Sequence, residues 1–277
     1  MVKEQEQPDG NFPTCPYPNP EIKETMALGM EYAKKCNADL LLATDPDCDR
    51  VGIAVKNKAG EHELLTGNQT GMLLLDYICS QRVKHGKMPA DPVMVKTSVT
   101  MDMGEQIATH YGLRTINVLT GFKFIGEQIK FFEQTGSNNY VFGLEESYGC
   151  LAGTHARDKD AIVAVMCLCE VAAYCKKHNM TLWDMMVSMY EKYGYFKETQ
   201  YTITMKGIDG ARQIAEIMEK LRKNPPKAFG DLKVEKFRDY QNDVIIDMET
   251  GEKTTTGLPK SNVLYFELPD NAWCCAR

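Results

Sequence analysis

The sequence predicts an α/β protein made of consecutive mixed α/β domains with largely parallel sheets, followed by a truncated α+β segment at the C-terminus. Three observations predict this. From residue 93 to residue 193, apolar strand patterns alternate with amphipathic helix patterns, as in strands joined by helical crossovers. Upstream, two apolar strands bracket a short acidic loop, Asp45-Pro-Asp-Cys-Asp-Arg50. Beyond Tyr195 the pattern changes to one helix and several short strands.

In order, residues 1–18 are polar and proline-rich and read as an extended lead-in. Asn19-Pro-Glu21 reads as a helix start, with Asn as N-cap and Pro in the first turn. Ile22, Met26, Met30 and Ala33 continue it at helical spacing until Asn37, which suits a left-handed stop. Residues 40–44 and 51–55 are the two strands, and residues 56–61 form a polar turn. A helix follows from Thr66 to Val83. Pro89 to Pro92 marks a boundary, which gives domains at 1–88, 89–195 and 196–277. Strands are expected at 93–97, 115–119 and 140–144, and helices at 101–111, 124–135, 158–178 and 182–193, the last with Thr181 as N-cap. In the final segment, 201–205 reads as a strand and 210–222 as a helix. Further strands are expected at 234–237, 244–248, 262–268 and 273–276.

The chain has 277 residues, 43% apolar and 25% charged, ordinary for a globular protein with a sizeable core. A net charge of −6 argues against nucleic acid as a partner. No apolar run approaches the ~20 residues of a membrane span, and residues 1–14 are too polar for a signal peptide. The ten cysteines contain no C-x-x-C pair, and several lie within apolar helical patterns. Reduced thiols in the cytoplasm are therefore the expected setting.

The chemistry centres on Asp45, Asp47 and Asp49. Carboxylates at alternate positions on so short a loop repel one another unless a cation sits among them, and hard divalent cations such as Mg²⁺ take oxygen ligands. An EF-hand fails, because its sixth position is Arg50 and its twelfth is Lys56. A haloacid-dehalogenase-type phosphatase is a second reading, since Asp47-Cys-Asp49-Arg-Val51 fits D-x-D-x-V with Asp47 as nucleophile and Asp49 as acid. Against it, Thr44, Asp45 and Pro46 separate Asp47 from the apolar strand. Three further stretches follow strands or open a helix. Thr120-Gly-Phe-Lys123 offers a close backbone approach at Gly121 and an anion contact at Lys123. Glu145-Glu-Ser-Tyr-Gly149 suits the vicinal hydroxyls of a sugar. Thr154-His-Ala-Arg-Asp-Lys-Asp160 opens a helix with Asp158 and Asp160 in its first turn and with Arg157 and Lys159 placed to hold a phosphate. No Walker A, G-x-G-x-x-G or G-x-S-x-G is present; Ser98 has no such setting.

Taken together and in this order, these motifs resemble the α-D-phosphohexomutases, the phosphoglucomutase and phosphomannomutase family, and most of all its longer bacterial type. The resemblance covers nearly the whole chain: Asn19-Pro-Glu21, the Asp45–Arg50 loop, Thr120-Gly-Phe-Lys-Phe124, Glu145–Gly149 and Arg157–Asp160. It implies family domains 2 and 3 followed by part of domain 4. It implies that Asp45, Asp47 and Asp49 bind Mg²⁺, with Arg50 beside them near a phosphoserine. Glu145 and Ser147 would bind sugar hydroxyls, and Thr120 and Gly121 would touch the ring. Lys159 would approach the reacting hydroxyl or phosphate, with His155 as a further polar contact. The implied substrate is a hexose phosphate, whose phosphate moves reversibly between positions 1 and 6 through a bisphosphate, with glucose 1,6-bisphosphate as activator.

Two family features are missing. The carrier serine belongs to a loop like T-A-S-H-N-P, and no such stretch occurs here. A distal phosphate loop like R-P-S-G-T-E-P-K would begin where this chain stops, at Arg277. The expectation is an internal fragment unable to complete the reaction alone. A non-catalytic sugar-phosphate-binding protein using the same loops is the third reading.

Overall fold

The uncharged run Leu40–Thr44 forms strand β1, and Val51–Lys56 forms β2, with Thr44 opposite Val51. The connection 45–50 is too short for a crossover, so the pair is antiparallel. His62–Leu65 forms β3 on the other side of β2, again antiparallel across a short turn. This sheet is thus antiparallel throughout, and parallel pairing begins only further along the chain. The helix expected from Pro20 starts later: α1 spans Ala27–Cys36 after a 3-10 turn at Lys23–Met26. Asn19 instead accepts the Glu21 amide at 3.0 Å, a local turn that competes with helix entry. Its end is as expected, with Asn37 left-handed at φ 52°.

A computed structural model describes every residue, Met1–Arg277. The chain divides into two units, Met1–Glu198 and Thr199–Arg277. In the first, α2 (Gly67–Lys84) is capped by Thr66 and Gln69 in a reciprocal box. Then follow β4 (Pro92–Thr97), α3 (Met103–His110), β5 (Arg114–Val118), α4 (Phe122–Thr135) and β6 (Asn139–Leu144). The unit ends with β7 (Cys150–Ala152), α5 (Ala161–Lys177) and α6 (Leu182–Tyr193). The sheet order is β5-β4-β6-β7, with β5 and β6 parallel to β4 and β7 antiparallel to β6. The crossovers through α3 and α4 make the parallel pairing possible.

Alternation along β4 sorts the core into two faces. Val93 and Val95 pack with Val118, Phe122, Ile125 and Ile129 under α4. Met94 faces the other way and joins a larger cluster that runs from Ile53 and Val55 through Leu73 and Leu75 to Ala164 and Leu168. That cluster is continuous across residue 88. None of the ten cysteines forms a disulfide. No helix is long and apolar enough to cross a membrane.

The second unit contains α7 (Gly207–Lys223), a small hairpin of β8 (Ala228–Phe229) and β9 (Leu232–Lys233), and the strands β10 (Lys236–Asp239), β11 (Val244–Asp247), β12 (Lys253–Thr254), β13 (Leu264–Glu267) and β14 (Trp273–Ala276). The last five form an antiparallel sheet in the order β12-β11-β10-β13-β14. Met218 of α7 packs with Phe237, Leu264 and Phe266, and burying each such side chain contributes about 1.5–3 kcal/mol. The strand expected at 201–205 does not form; Tyr201 is 90% and Ile203 69% exposed. Alternation there has no partner strand, and a strand without a ladder leaves its backbone groups to water.

Candidate functional site

The acidic loop wraps around one buried carboxylate. Asp45 is 6% exposed, and its Oδ1 accepts the amides of Asp49 and Arg50 at 3.1 and 3.0 Å. Cys48 takes a left-handed conformation, φ 58°, to make that wrap. Asp47 is exposed and Asp49 half-buried. One carboxylate oxygen from each of Asp45, Asp47 and Asp49 lies within 4.8 Å of the other two. Ligands on opposite sides of Mg²⁺ are about 4.2 Å apart, so a small contraction would close these oxygens on one hard cation. Asp49 Oδ1 is buried and makes no hydrogen bond, with Arg50 Nε at 3.4 Å, which leaves a lone pair for such an ion.

Two side-chain cations flank the cluster. Arg50 Nε lies 3.2 Å from Asp45 Oδ2, and Arg50 Nη1 reaches Glu21 at 3.2 Å. The turn at Asn19–Glu21 is seated on β2, where a Cβ at Gly52 would lie 2.7 Å from Pro20 Cβ. Lys159 Nζ lies 2.9 Å from Asp49 Oδ2 and 3.7 Å from Glu145 Oε2. Burial pushes the Asp45 carboxyl up, and the nearby Asp49 and Asp47 add to the rise. Burial would raise Asp49 too, but Lys159, its contact with Asp45 and the Arg50 charge outweigh it and hold Asp49 below the ordinary value. For Lys159, burial disfavours the charge, yet Asp49, Asp158 and Glu145 prevail and raise its pKa.

The opposite wall comes from the ends of β5 and β6. Glu145 is 5% exposed, and its Oε1 accepts the Gly121 amide at 2.8 Å. Gly121 has φ 119°, a conformation that side chains rarely adopt. The loop 145–149 closes on itself through the Glu145 amide and the Gly149 carbonyl at 2.9 Å. A Cβ at Gly149 would sit 2.0 Å from Lys159 Cδ, so Lys159 reaches both walls by crossing bare backbone.

The structure therefore joins Asp45, Asp49, Arg50, Lys159, Glu145 and Gly121 through direct contacts, with Asp47 beside them. Ser147 lies half-buried in the same loop as Glu145. The Thr120 hydroxyl is buried without a partner. The remaining candidates stand apart from this chain of contacts. Lys123 lies over the Phe124 ring, His155 pairs with Asp160 at 2.8 Å, and Arg157 is held by Glu133 and by the carbonyls of Thr154 and Ala156. Asp158 precedes α5 rather than entering its first turn; Asp160 is the N-cap, accepting the Val163 amide at 3.0 Å.

Sequence reading missed two groups. Glu21 was read only as a helix-start acid, and nothing local reveals its pairing with Arg50. Lys96 is 1% exposed at the end of β4, pairs with Asp102 at 2.7 Å and donates to the Thr100 carbonyl at 3.0 Å. The available signal was a lone lysine within the apolar run Val93-Met-Val-Lys96. The D-x-D-x-V reading gains nothing: Asp45, not Asp47, follows β1 directly.

Comparison with known proteins bears on the family of the chain. Residues 1–60 match the profile of phosphoglucomutase/phosphomannomutase alpha/beta/alpha domain II, and residues 66–193 match that of domain III. A phosphoglucomutase of Staphylococcus aureus (strain USA300) is 34% identical over 264 residues, covering 95% of this chain and 47% of the relative. The chain thus spans about half the length of the curated relatives it matches. Among solved structures, the Paramecium parafusin, a phosphoglucomutase in open form, has the same fold at TM-score 0.55 and 17% identity, covering 86% of this chain and 38% of that one. A phosphoglucomutase/phosphomannomutase family protein from Burkholderia thailandensis gives 0.53 at 15% identity, covering 95% and 46%.

Proposed function

Because this chain belongs to the phosphoglucomutase/phosphomannomutase family, we propose that it supplies the cation loop and the sugar loop of a phosphohexomutase. The reaction would interconvert hexose 1-phosphate and hexose 6-phosphate through a bisphosphate intermediate such as glucose 1,6-bisphosphate. Asp45, Asp47 and Asp49 would hold Mg²⁺. Bound there, the ion supplies charge neutralisation next to phosphoryl oxygens.

The observation that carries the proposal is Lys159, whose Nζ spans Asp49 on one wall and Glu145 on the other. With its pKa raised by those carboxylates, Lys159 stays protonated and serves as a donor to a phosphoryl or hydroxyl oxygen. Arg50 is a fixed cation beside the same oxygens. Glu145 would accept sugar hydroxyls, Ser147 would contact another, and the partnerless Thr120 hydroxyl with the Gly121 backbone would meet the ring. Lys123, His155 and Arg157 would be outer contacts, reached once their present partners let go. The carrier serine and distal phosphate loop would lie in the part of the longer relatives that these residues do not span. The unpaired cysteines suit a reducing, cytoplasmic setting.

Calorimetric titration of the 277-residue chain with glucose 1-phosphate in the presence of Mg²⁺ tests this, on a sample that melts cooperatively by circular dichroism. Saturable binding is expected, weakened about 10-fold or more by Lys159→Ala through loss of charge-assisted hydrogen bonds. A coupled assay for glucose 6-phosphate, with glucose 1,6-bisphosphate added, should show no turnover. A folded sample that binds neither glucose nor mannose phosphates would end the proposal. Robust turnover would overturn the assignment of the carrier to other segments.

A further inference from the structure

We propose that Thr97 and Glu146 are positioning residues that fix the loop 145–149, and hence Glu145 and Ser147, for the sugar. This inference rests on the sugar-binding role proposed above. Glu146 is the second acid of the pair, and its side chain turns away from Lys159's partner to the end of β4. There its Oε2 accepts a hydrogen bond from Thr97 Oγ1 at 3.1 Å. Thr97 is fully buried, and its Oγ1 lies 2.9 Å from Thr100 Oγ1, itself fully buried.

Each hydroxyl has one proton. A carboxylate can only accept, so Thr97 donates to Glu146, and Thr100 donates to Thr97 at 2.9 Å in preference to the Leu144 carbonyl at 3.5 Å. The Glu146 charge thereby sets the direction of both buried hydroxyls. The far end of this relay is anchored as well. Lys96 holds the Thr100 carbonyl at 3.0 Å, and Asn68 Oδ1 accepts the Met101 amide at 3.1 Å.

Two backbone contacts add to the seat. A Cβ at Gly67 would lie 2.2 Å from the Glu146 carbonyl oxygen and 2.5 Å from the Tyr148 amide nitrogen, so the loop rests directly on the first turn of α2. The Val51 amide donates to the Tyr148 carbonyl at 3.0 Å, tying the loop to the residue after Arg50. Of these three supports only the Thr97–Glu146 contact is a side-chain pair, so it can be removed without altering backbone.

The test uses Thr97→Val, Thr97→Ser, Glu146→Ala and Glu146→Gln in the 277-residue chain. Two readouts are made on each: hydrogen exchange of the loop 145–149 amides without ligand, and glucose 1-phosphate affinity by calorimetry. Thr97→Val and Glu146→Ala should speed loop exchange by about 10-fold, as for a segment whose local opening has become easier. They should weaken sugar-phosphate binding by about 10-fold, while Mg²⁺ affinity stays within about twofold because the acidic loop has its own supports. Thr97→Ser keeps the donor and should behave like the parent chain, whereas Glu146→Gln keeps an acceptor without the charge and should fall between the parent chain and Glu146→Ala. Unchanged loop exchange in Glu146→Ala, failure of Thr97→Ser to restore it, or faster exchange without weaker binding would each overturn the proposal. If the parent chain binds no sugar phosphate, the function proposed above fails, and the exchange readout still decides whether Thr97 and Glu146 hold the loop.

Discussion

Each loop closes on itself by a backbone hydrogen bond, but the loop 45–50 is organised by a buried carboxylate of its own, whereas the loop 145–149 leans on distant elements. In the first, a single carboxylate, Asp45, gathers the amides of Asp49 and Arg50, and the flanking strands β1 and β2 pair with each other. Most of its supports lie within one hairpin, joined by the Ala161 amide on the Cys48 carbonyl at 3.0 Å and by ion pairs to Lys159 and Glu21. In the second, the supports are Thr97 on β4, Gly67 on α2 and Val51 on β2, all distant in sequence. Lys159, from a third place, touches both loops. A self-contained loop can keep its ligands when its surroundings are perturbed. A loop seated on three elements should lose its function with any one of them.

The largest expected effect separates ligand from scaffold. Asp47 is the exposed member of the acidic cluster. Asp47→Asn should lower Mg²⁺ affinity about 100-fold, the upper end of what even outer-shell changes do to metal sites. The melting midpoint should hardly move, since exposed substitutions usually stay within about 0.5 kcal/mol. Titration calorimetry with Mg²⁺ and thermal melts check both halves. A large loss of stability would show that the loop depends on Asp47 for its shape and is less self-contained than its hydrogen bonds suggest.

Gly67→Ala probes the other loop. The added carbon meets backbone on the far side, which cannot rotate away, so overpacking should cost about 1–3 kcal/mol in a urea melt. Sugar-phosphate binding should fall with it while Mg²⁺ binding persists. Equal losses of both would break the contrast between the loops.

The same contrast explains what could be read in the sequence. Asp45, Asp47 and Asp49 were visible because their spacing within one hairpin is itself the geometry. The strands β1, β2, β4, β5 and β6 and helices α2 to α6 were visible through apolar period and caps, as at Thr66 and Thr181. Strand β7, at three residues, is too short to show a period, and β3 opens with the polar His62 and Glu63, so no apolar run marks it. The strand pattern at 201–205 misled because alternation specifies a strand only where a partner exists. At the site, Glu145 and Lys159 were identified by motif, but their meeting required the fold. Thr97, Gly67 and Glu21 carry no local mark, since each acts through a residue far away in the chain, whereas Lys96 is marked as the lone charge in an apolar run and pairs with the nearby Asp102.

The smallest effect tests locality where no site is involved. Thr181-Leu-Trp-Asp184 reads as a helix start in the sequence and forms one: the Asp184 amide reaches Thr181 Oγ1 at 3.0 Å, and the Thr181 amide reaches Asp184 Oδ2 at 2.9 Å. The Thr181 amide lowers the Asp184 pKa against the opposing effect of burial, with help from the Thr181 hydroxyl and Lys58. A carboxyl whose folded pKa lies below its unfolded value, near 3.8, stabilises the fold above that value and loses the contribution as pH falls through the folded one. Asp184→Ala should therefore cost about 1 kcal/mol at neutral pH, as capping groups do. The gap between the two melts should shrink below pH 3.8, and both Mg²⁺ and glucose 1-phosphate should bind as before. A binding loss in this variant would mean that strain at the start of α6 travels through the shared core to the site, and that α6 belongs with the elements seating the loop 145–149.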